Sequence, residues 1–298
     1  MVRQYKIHTN LDGTDDKVWD VTNGKVRFYQ PSNLGLQSTN NIWQSNGIGV
    51  MGTRSITQPQ IEFKLETFGE SLEENYRLMK DFINDILNQK FVTLEYQTEI
   101  FQVYADLALA DVTKTEGYGK NGTFSEKITF DIITKWYTYE NLTFDMVQNG
   151  KVISGKSKIY GGTAPGYYKY VKGTSYTYYG ETNIERLSRW DIKDEIFSFM
   201  GILYPKLPKT PTGVRFLDDI GNEYTAIVFK AEQVQDYILI NTDVNDETYQ
   251  GWKGTTALNL FPVMDFERYG TRIIEKGQME LINLSKAEFK IKRKADFV

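Results

Sequence analysis

The chain of 298 residues contains no cysteine. Disulfide frameworks, thiolate nucleophiles and cysteine-ligated metals are therefore excluded. There is one histidine, His8. With one histidine and no cysteine, a catalytic zinc site is not expected, and the flank Tyr5-Lys-Ile-His-Thr9 reads as an N-terminal strand. No apolar run reaches the ~18 residues that a membrane-spanning helix requires. The opening Met1-Val-Arg-Gln-Tyr5 lacks the apolar core of a signal peptide. The net charge of −4 provides no positive field toward DNA or an anionic membrane.

What is abundant is aromatic: 20 tyrosines and 17 phenylalanines. Aromatic residues favour strands and contact surfaces, which points to a β-rich protein built for interfaces. Hydrophobic residues at 40% and charged residues at 25% are ordinary for a globular chain. The length suggests two domains.

One helix stands out, over residues 71–90. Ser71-Leu-Glu-Glu74 has the form of a capping box. Leu72, Tyr76, Met79, Ile83, Ile86 and Leu87 follow at helical spacing, with Glu73, Arg77, Lys80 and Asp81 opposite. Such a stripe predicts a core-facing seam. Elsewhere the pattern has period two, as in Ile61-Glu-Phe-Lys-Leu-Glu66 and Ile128-Thr-Phe-Asp-Ile132, the mark of antiparallel strands with one wet face. Further strands are expected at 91–96, 100–104, 107–115 and 123–136. The first half thus reads as an α+β layer or small barrel. Alternation returns at 190–193, 224–230, 237–241, 257–264, 279–282 and 288–294, which predicts a β-sandwich in the second half.

Between the halves the character changes. Residues 145–185 are rich in glycine and hold Tyr160, Tyr167, Tyr168, Tyr170, Tyr176, Tyr178 and Tyr179. Sequence of this kind buries little apolar surface unaided. It reads either as a loop or twisted hairpin, or as an adaptable contact surface of rigid tyrosines on a pliable backbone. Those seven tyrosines are the candidate partner-binding residues.

Other motifs weigh less. Gly47-Ile-Gly-Val-Met-Gly52 matches the dinucleotide fingerprint literally, but β-patterned sequence follows where a helix should open, so a glycine-rich loop is expected. Asp12-Gly-Thr-Asp-Asp16 lacks the order of a calcium loop and reads as a turn. Carboxylate pairs such as Asp218-Asp219 and Asp194-Glu195 could serve a glycosidase only if two carboxyls faced each other across a substrate, which spacing in sequence does not establish, and no such role is expected. Lys286, Lys290, Lys292, Arg293 and Lys294 are expected on a solvated terminal strand that resists edge pairing. No catalytic residue, cofactor site or metal site is expected.

The first half resembles the N-terminal domain of distal tail proteins of siphophages infecting Gram-positive hosts. Paired N-terminal strands, a glycine-bearing loop, the strand Ile61–Glu66 and the helix come in the family's order. The stretches Phe91-Val-Thr-Leu-Glu-Tyr96 and Phe130-Asp-Ile-Ile-Thr-Lys-Trp-Tyr137 carry most of the likeness, and the whole chain is similar to the lactococcal members. The resemblance implies a structural, non-enzymatic baseplate hub at the virion tail tip, made in the host cytoplasm. Residues 1–138 would form a ring, six copies around the channel through which DNA passes as cargo. Residues 139–298 would form a galectin-like β-sandwich with an arm-like extension, 145–185 or alternatively 186–222, gripping a receptor-binding protein. The major tail tube protein would dock on one side and a tail-associated protein on the other. The sandwich half has no histidine, so the galectin likeness concerns architecture and not sugar binding. Two competing readings are a carbohydrate-binding module of a tail fibre or secreted protein, which an exposed Trp190 or Trp252 in a groove would favour, and a tail-associated glycan hydrolase.

Overall fold

Period-two sequence becomes paired strands nearly everywhere. The computed structural model describes residues 3–35, 37–57, 60–114, 124–144, 147–148, 151–152, 189–230, 235–271 and 273–295. They divide into two compact units, one of residues 1–138 with the chain end from Ala295, the other Tyr139–Lys294.

The first unit contains β1 (Gln4–His8), β2 (Val18–Asp20), β3 (Val26–Ser32), β4 (Gln37–Ser45), β5 (Ile48–Thr57), β6 (Ile61–Thr67), α1 (Leu72–Leu87), β7 (Val92–Gln97), β8 (Gln102–Thr113) and β9 (Ser125–Ile132). Antiparallel pairing runs β3–β6–β9–β8–β7–β1–β2. β8 joins the two halves of this run. Its first part pairs with β7 and its second with β9, with a bulge between Leu109 and Asp111. In β6, Ile61, Phe63 and Leu65 are buried while Glu62, Lys64 and Glu66 face outward. Glu62 pairs with Lys127 at 2.8 Å and Glu66 with Lys64 at 2.6 Å.

Ser71 caps α1, its Oγ accepting from the Glu74 amide at 3.2 Å. The Glu74 carboxylate reaches back to the Glu70 amide at 2.7 Å. The expected stripe needs correction. Leu72, Tyr76 and Leu87 are 55%, 64% and 62% exposed. The buried line is Asn75, Phe82 and Ile86, with Leu78, Met79 and Ile83 partly buried against the same core. Phe82 is the largest apolar side chain of the helix, and it fills the space between Trp19 and Phe28 at ring distances of 5.2 and 5.8 Å. Asn75 can be buried because its Oδ1 accepts from the Gly69 amide at 2.6 Å. Together they turn the seam away from Leu72 and Tyr76.

β10 (Tyr137–Phe144) continues from the first unit into the second, followed by the short pair β11 (Val147–Gln148) and β12 (Lys151–Val152). The second unit then contains β13 (Arg189–Ile192), β14 (Ile196–Pro205), β15 (Thr212–Leu217), β16 (Glu223–Phe229), β17 (Tyr237–Asn241), β18 (Thr248–Lys253), β19 (Thr256–Asn259), β20 (Gly277–Ile282) and β21 (Leu284–Lys294). It is a β-sandwich. One sheet has the order β19–β18–β17–β14–β21–β10 and the other β13–β20–β15–β16. Phe199 of β14 meets Phe216 of β15 at 5.8 Å, and Tyr249 of β18 meets Phe229 of β16 at 6.1 Å, so the core lies between the sheets. Gly277 opens β20 at φ +123°, where a Cβ would stand 1.8 Å from the Leu217 carbonyl oxygen. No other residue fits there.

The basic terminal segment is also corrected. β21 is an inner strand between β14 and β10, not a solvated edge. Lys292 is buried and pairs with buried Asp243 at 2.8 Å. Lys290 lies 3.9 Å from the Tyr139 ring centre, and Arg293 bridges Glu140 and Asp194 at 3.2 and 3.3 Å. Each charge named here has a protein partner, which is what lets the strand sit inside the sheet.

Candidate assembly interface

Tyr160, Tyr167, Tyr168, Tyr170, Tyr176, Tyr178 and Tyr179 all lie outside the described residues. The described residues offer a different contact surface. Residues 47–52 are not the expected glycine-rich loop. Only Asn46 and Gly47 turn, at φ 51° and 77°, and Gly49 and Gly52 lie within β5. Asn-Gly supplies the two left-handed residues of a tight hairpin turn, so the chain folds straight back into a strand. β4 and β5 pair with each other and with no third described strand.

The ribbon is apolar on both faces. Cross-strand partners share a face, which puts Trp43 with Val50 on one side and Ile42 with Met51 on the other. They are 68%, 60%, 54% and 49% exposed, and Ile48 at the tip is 69% exposed. None of them belongs to the core of the unit. A two-stranded ribbon without a second layer is marginal in water. Sequence reasoning missed these residues, although Asn46-Gly47 between Trp43 and Ile48 carried the hairpin signal.

Other exposed apolar residues lie apart from the hairpin. Tyr29 and Phe68 are 6.3 Å apart and 36% and 38% exposed, and on α1 exposed Tyr76 lies 6.3 Å from the Phe124 ring. Arg27 covers one face of Phe68 at 4.6 Å. The outer strands of the sheet are poorer templates. β2 has three residues. β3 carries Pro31, a positive φ of 48° at Gln30 and a pairing irregularity after Tyr29, features that blunt an edge.

The titratable groups near the termini of the first sheet are tied to structure. His8 Nδ1 lies 2.6 Å from Asp16 and Nε2 lies 2.8 Å from Glu95, which also binds Lys6 at 2.9 Å. Burial opposes ionisation of Glu95, but the Lys6 and His8 hydrogen bonds outweigh it and hold the carboxyl below its ordinary range. Residues 12–16 form turns that Asp16 clasps through the Asn10 amide at 3.0 Å. Asp218 caps its own turn, accepting from Ile220 and Asn222 amides at 3.0 and 2.7 Å. No group of three metal-binding side chains occurs among the described residues.

In the second unit a cleft of about 520 Å³ opens over Leu142, Ile202, Leu239 and Phe289. Its acids are engaged: Asp246 accepts from Asn241 at 3.2 Å, and Glu288 pairs with Lys286. Trp190 and Trp252 are partly buried and not among the exposed large side chains: Trp252 stacks on Tyr237 at 6.1 Å, and Trp190 packs against the core.

The model of the distal tail protein N-terminal domain matches residues 4–133, and that of the Dit C-terminal domain matches 135–298. The chain belongs to the distal tail protein family. Relatives within this family include the distal tail proteins of Lactococcus phage p2, 94% identical, and Lactococcus phage SK1, 91% identical, each covered over its full length and over all of this chain. Among solved structures, a chain of the phage p2 baseplate in its activated conformation with Ca is 94% identical, with a TM-score of 0.80 and full coverage of both. The SPP1 distal tail protein is only 10% identical but aligns over 99% of this chain and all of its own at a TM-score of 0.52, a likeness of fold alone.

Proposed function

We propose that this distal tail protein is a structural hub of the tail-tip baseplate, acting as a closed ring and not as an enzyme. The ring has six copies and is built from residues 1–138, with DNA passing through its channel only as cargo. Residues 139–298 form an outward, galectin-like sandwich whose extension, 145–185 with its seven tyrosines, holds the receptor-binding protein. The tail tube protein and a tail-associated protein dock on opposite sides of the ring.

The observation that carries this reading is the hairpin β4–β5. A hairpin with Trp43, Val50, Ile42 and Met51 in water on its two faces is an interface awaiting a partner. Membership of the distal tail protein family supports another copy of this chain as that partner. The blunted outer strands favour packing over strand-to-strand pairing. The carbohydrate-binding alternative loses support from the packed Trp190 and Trp252.

Light scattering on the full chain tests it. The expected result is a molar mass near six copies, falling to one copy in a Trp43→Ser/Val50→Ser variant. A parent that stays monomeric at micromolar concentration overturns the ring. Deleting 145–185 should leave the ring and abolish capture of receptor-binding protein, and retained capture would remove that segment's role.

A further inference from the structure

The second unit covers one sheet edge with its own chain and leaves another bare. In the sheet β13–β20–β15–β16, the outer strand β16 is covered by the segment that follows β19. The Asp265 amide donates to the Val228 carbonyl, and the Ala226 and Lys230 amides donate to the Arg268 and Val263 carbonyls, all at 2.8 Å. In the other sheet β19 is the outer strand, and among the described residues nothing pairs with its far side. We propose that this edge takes up an extended, uncharged segment of a partner protein, added to the sheet as a further strand, with its apolar side chains against Leu258 and Phe261. The source of that strand rests on the hub reading above.

The backbone selects a strand. Gly254, at φ +57°, opens a two-residue turn across which Lys253 pairs with Thr256. The Leu260 amide donates to the Tyr249 carbonyl at 2.9 Å. Antiparallel partners alternate between bonded and unbonded pairs, so Thr256 and Leu258 bond to β18 while Ala257 and Asn259 turn their N–H and C=O groups to the open side. Edge strands are ordinarily protected by charge, proline or a bulge. β19 has none of the three; its residues are all exposed, and none from Gly254 to Met264 is charged.

The side chains fit the same occupant. Leu258 stands across from Gly251, two residues from Tyr249, so Leu258 and Tyr249 share a face of the sheet. Tyr249 points between the sheets, its ring 6.1 Å from that of Phe229. Phe261 stacks on Tyr249 at 6.1 Å, and Phe266 meets Phe261 edge-on at 5.1 Å. Leu258, Phe261 and Phe266 are 42%, 46% and 49% exposed, so the core runs out to the sheet edge and stops uncovered. An added strand lies about 4.8 Å further out and continues the face that Leu258 begins. A second free copy is a poor occupant, because four residues a side fall well below the ~1,000 Å² of a stable interface. A strand from a protein already fixed in the same baseplate is presented at high effective concentration, and a short edge then suffices.

Amide hydrogen exchange tests it. The Ala257 and Asn259 amides should exchange rapidly in the free full-length chain and at least about tenfold more slowly in intact phage tails, whereas the Leu258 amide should be protected in both. Equal rates for Ala257 and Asn259 in the two samples overturn the added strand. Ala257→Pro deletes one outward N–H and leaves the bonds to β18, a change that an edge strand accepts. The free variant should melt with the parent, and phage carrying it should build tails in which Asn259 exchanges as in the free chain. Should this variant not fold, Leu258→Lys, which sets a charge on the apolar face of the added strand, should give the same loss. Asn259 still protected in tails built from a folded variant overturns the proposal. Protection already present in the free chain and rising with its concentration assigns the edge to a second copy, and overturns the partner strand. A chain absent from the tails would instead remove the hub reading.

Discussion

Two long antiparallel pairs, β4–β5 and β14–β21, end in opposite circumstances. Both are rich in large apolar residues. In β14 and β21, Phe199, Leu203, Phe289 and Ile291 are almost fully buried, because the sheet containing β15 and β20 supplies a second layer. In β4 and β5, Trp43, Val50, Ile42 and Met51 have no second layer among the described residues and stay exposed. Strand pairing satisfies the backbone in both cases, but only a facing layer removes apolar area from water, and that removal is what stabilises. A core strand pair and an assembly ribbon therefore differ less in composition than in what stands opposite them.

The comparison is broken most strongly where the facing layers are fully formed. Phe82→Ala removes the ring that α1 inserts between Trp19 and Phe28, and should cost the first unit about 3–5 kcal/mol, leaving the second unit's transition in place. Asp243→Ala removes the buried carboxylate that pairs with buried Lys292 at 2.8 Å, and should cost the second unit about 3–5 kcal/mol, most of it recovered by adding Lys292→Met. Calorimetry separates the two transitions. If Asp243→Ala melts like the parent, Lys292 reaches water and the inner-strand placement of β21 is wrong.

Smaller losses are expected from single polar anchors. Asp106 is fully buried and accepts from Thr93 at 2.7 Å and Tyr137 at 2.8 Å. Asp106→Ala leaves both hydroxyls short of a partner, at roughly 1–3 kcal/mol, measurable by chemical denaturation. A pH effect follows from Glu95. Its folded pKa is depressed below the unfolded value, so the stabilisation is fully present above the unfolded carboxylate range and is lost as pH falls through the folded value. Glu95→Gln should flatten that acid limb, and an unchanged acid limb would refute the Lys6–Glu95–His8 linkage.

How much of this the sequence revealed depended on one-sidedness. β6 was legible because Ile61, Phe63 and Leu65 alternate with charges. The helix was legible as an element, but its seam was misjudged by one face. Apolar spacing alone cannot say that Asn75 will find Gly69 and turn inward, or that bulk will select Phe82 over Tyr76. β14 escaped notice because Ile196–Tyr204 is apolar on both faces and shows no period of two. The hairpin was hidden by its glycines: Gly47 is a turn residue, while Gly49 and Gly52 are strand residues of identical appearance. The lysines near the end looked solvated because the partner of Lys292, Asp243, is distant in sequence.

The smallest effect on folding sharpens the comparison furthest. Trp43→Ser/Val50→Ser replaces two side chains that touch no core, so a dilute monomer should melt within about 0.5 kcal/mol of the parent. Inverting the roles of the two strand pairs, Phe199→Ser/Phe289→Ser should unfold the sandwich outright. Assembly changes what is seen at high concentration. Binding that occurs only in the folded state stabilises by mass action, so the parent's melting temperature should rise with protein concentration while the hairpin variant's stays level. If both rise alike, another surface drives association. If the variant melts low even when dilute, the ribbon packs on its own chain after all, and β4–β5 belongs with β14–β21 as a core pair.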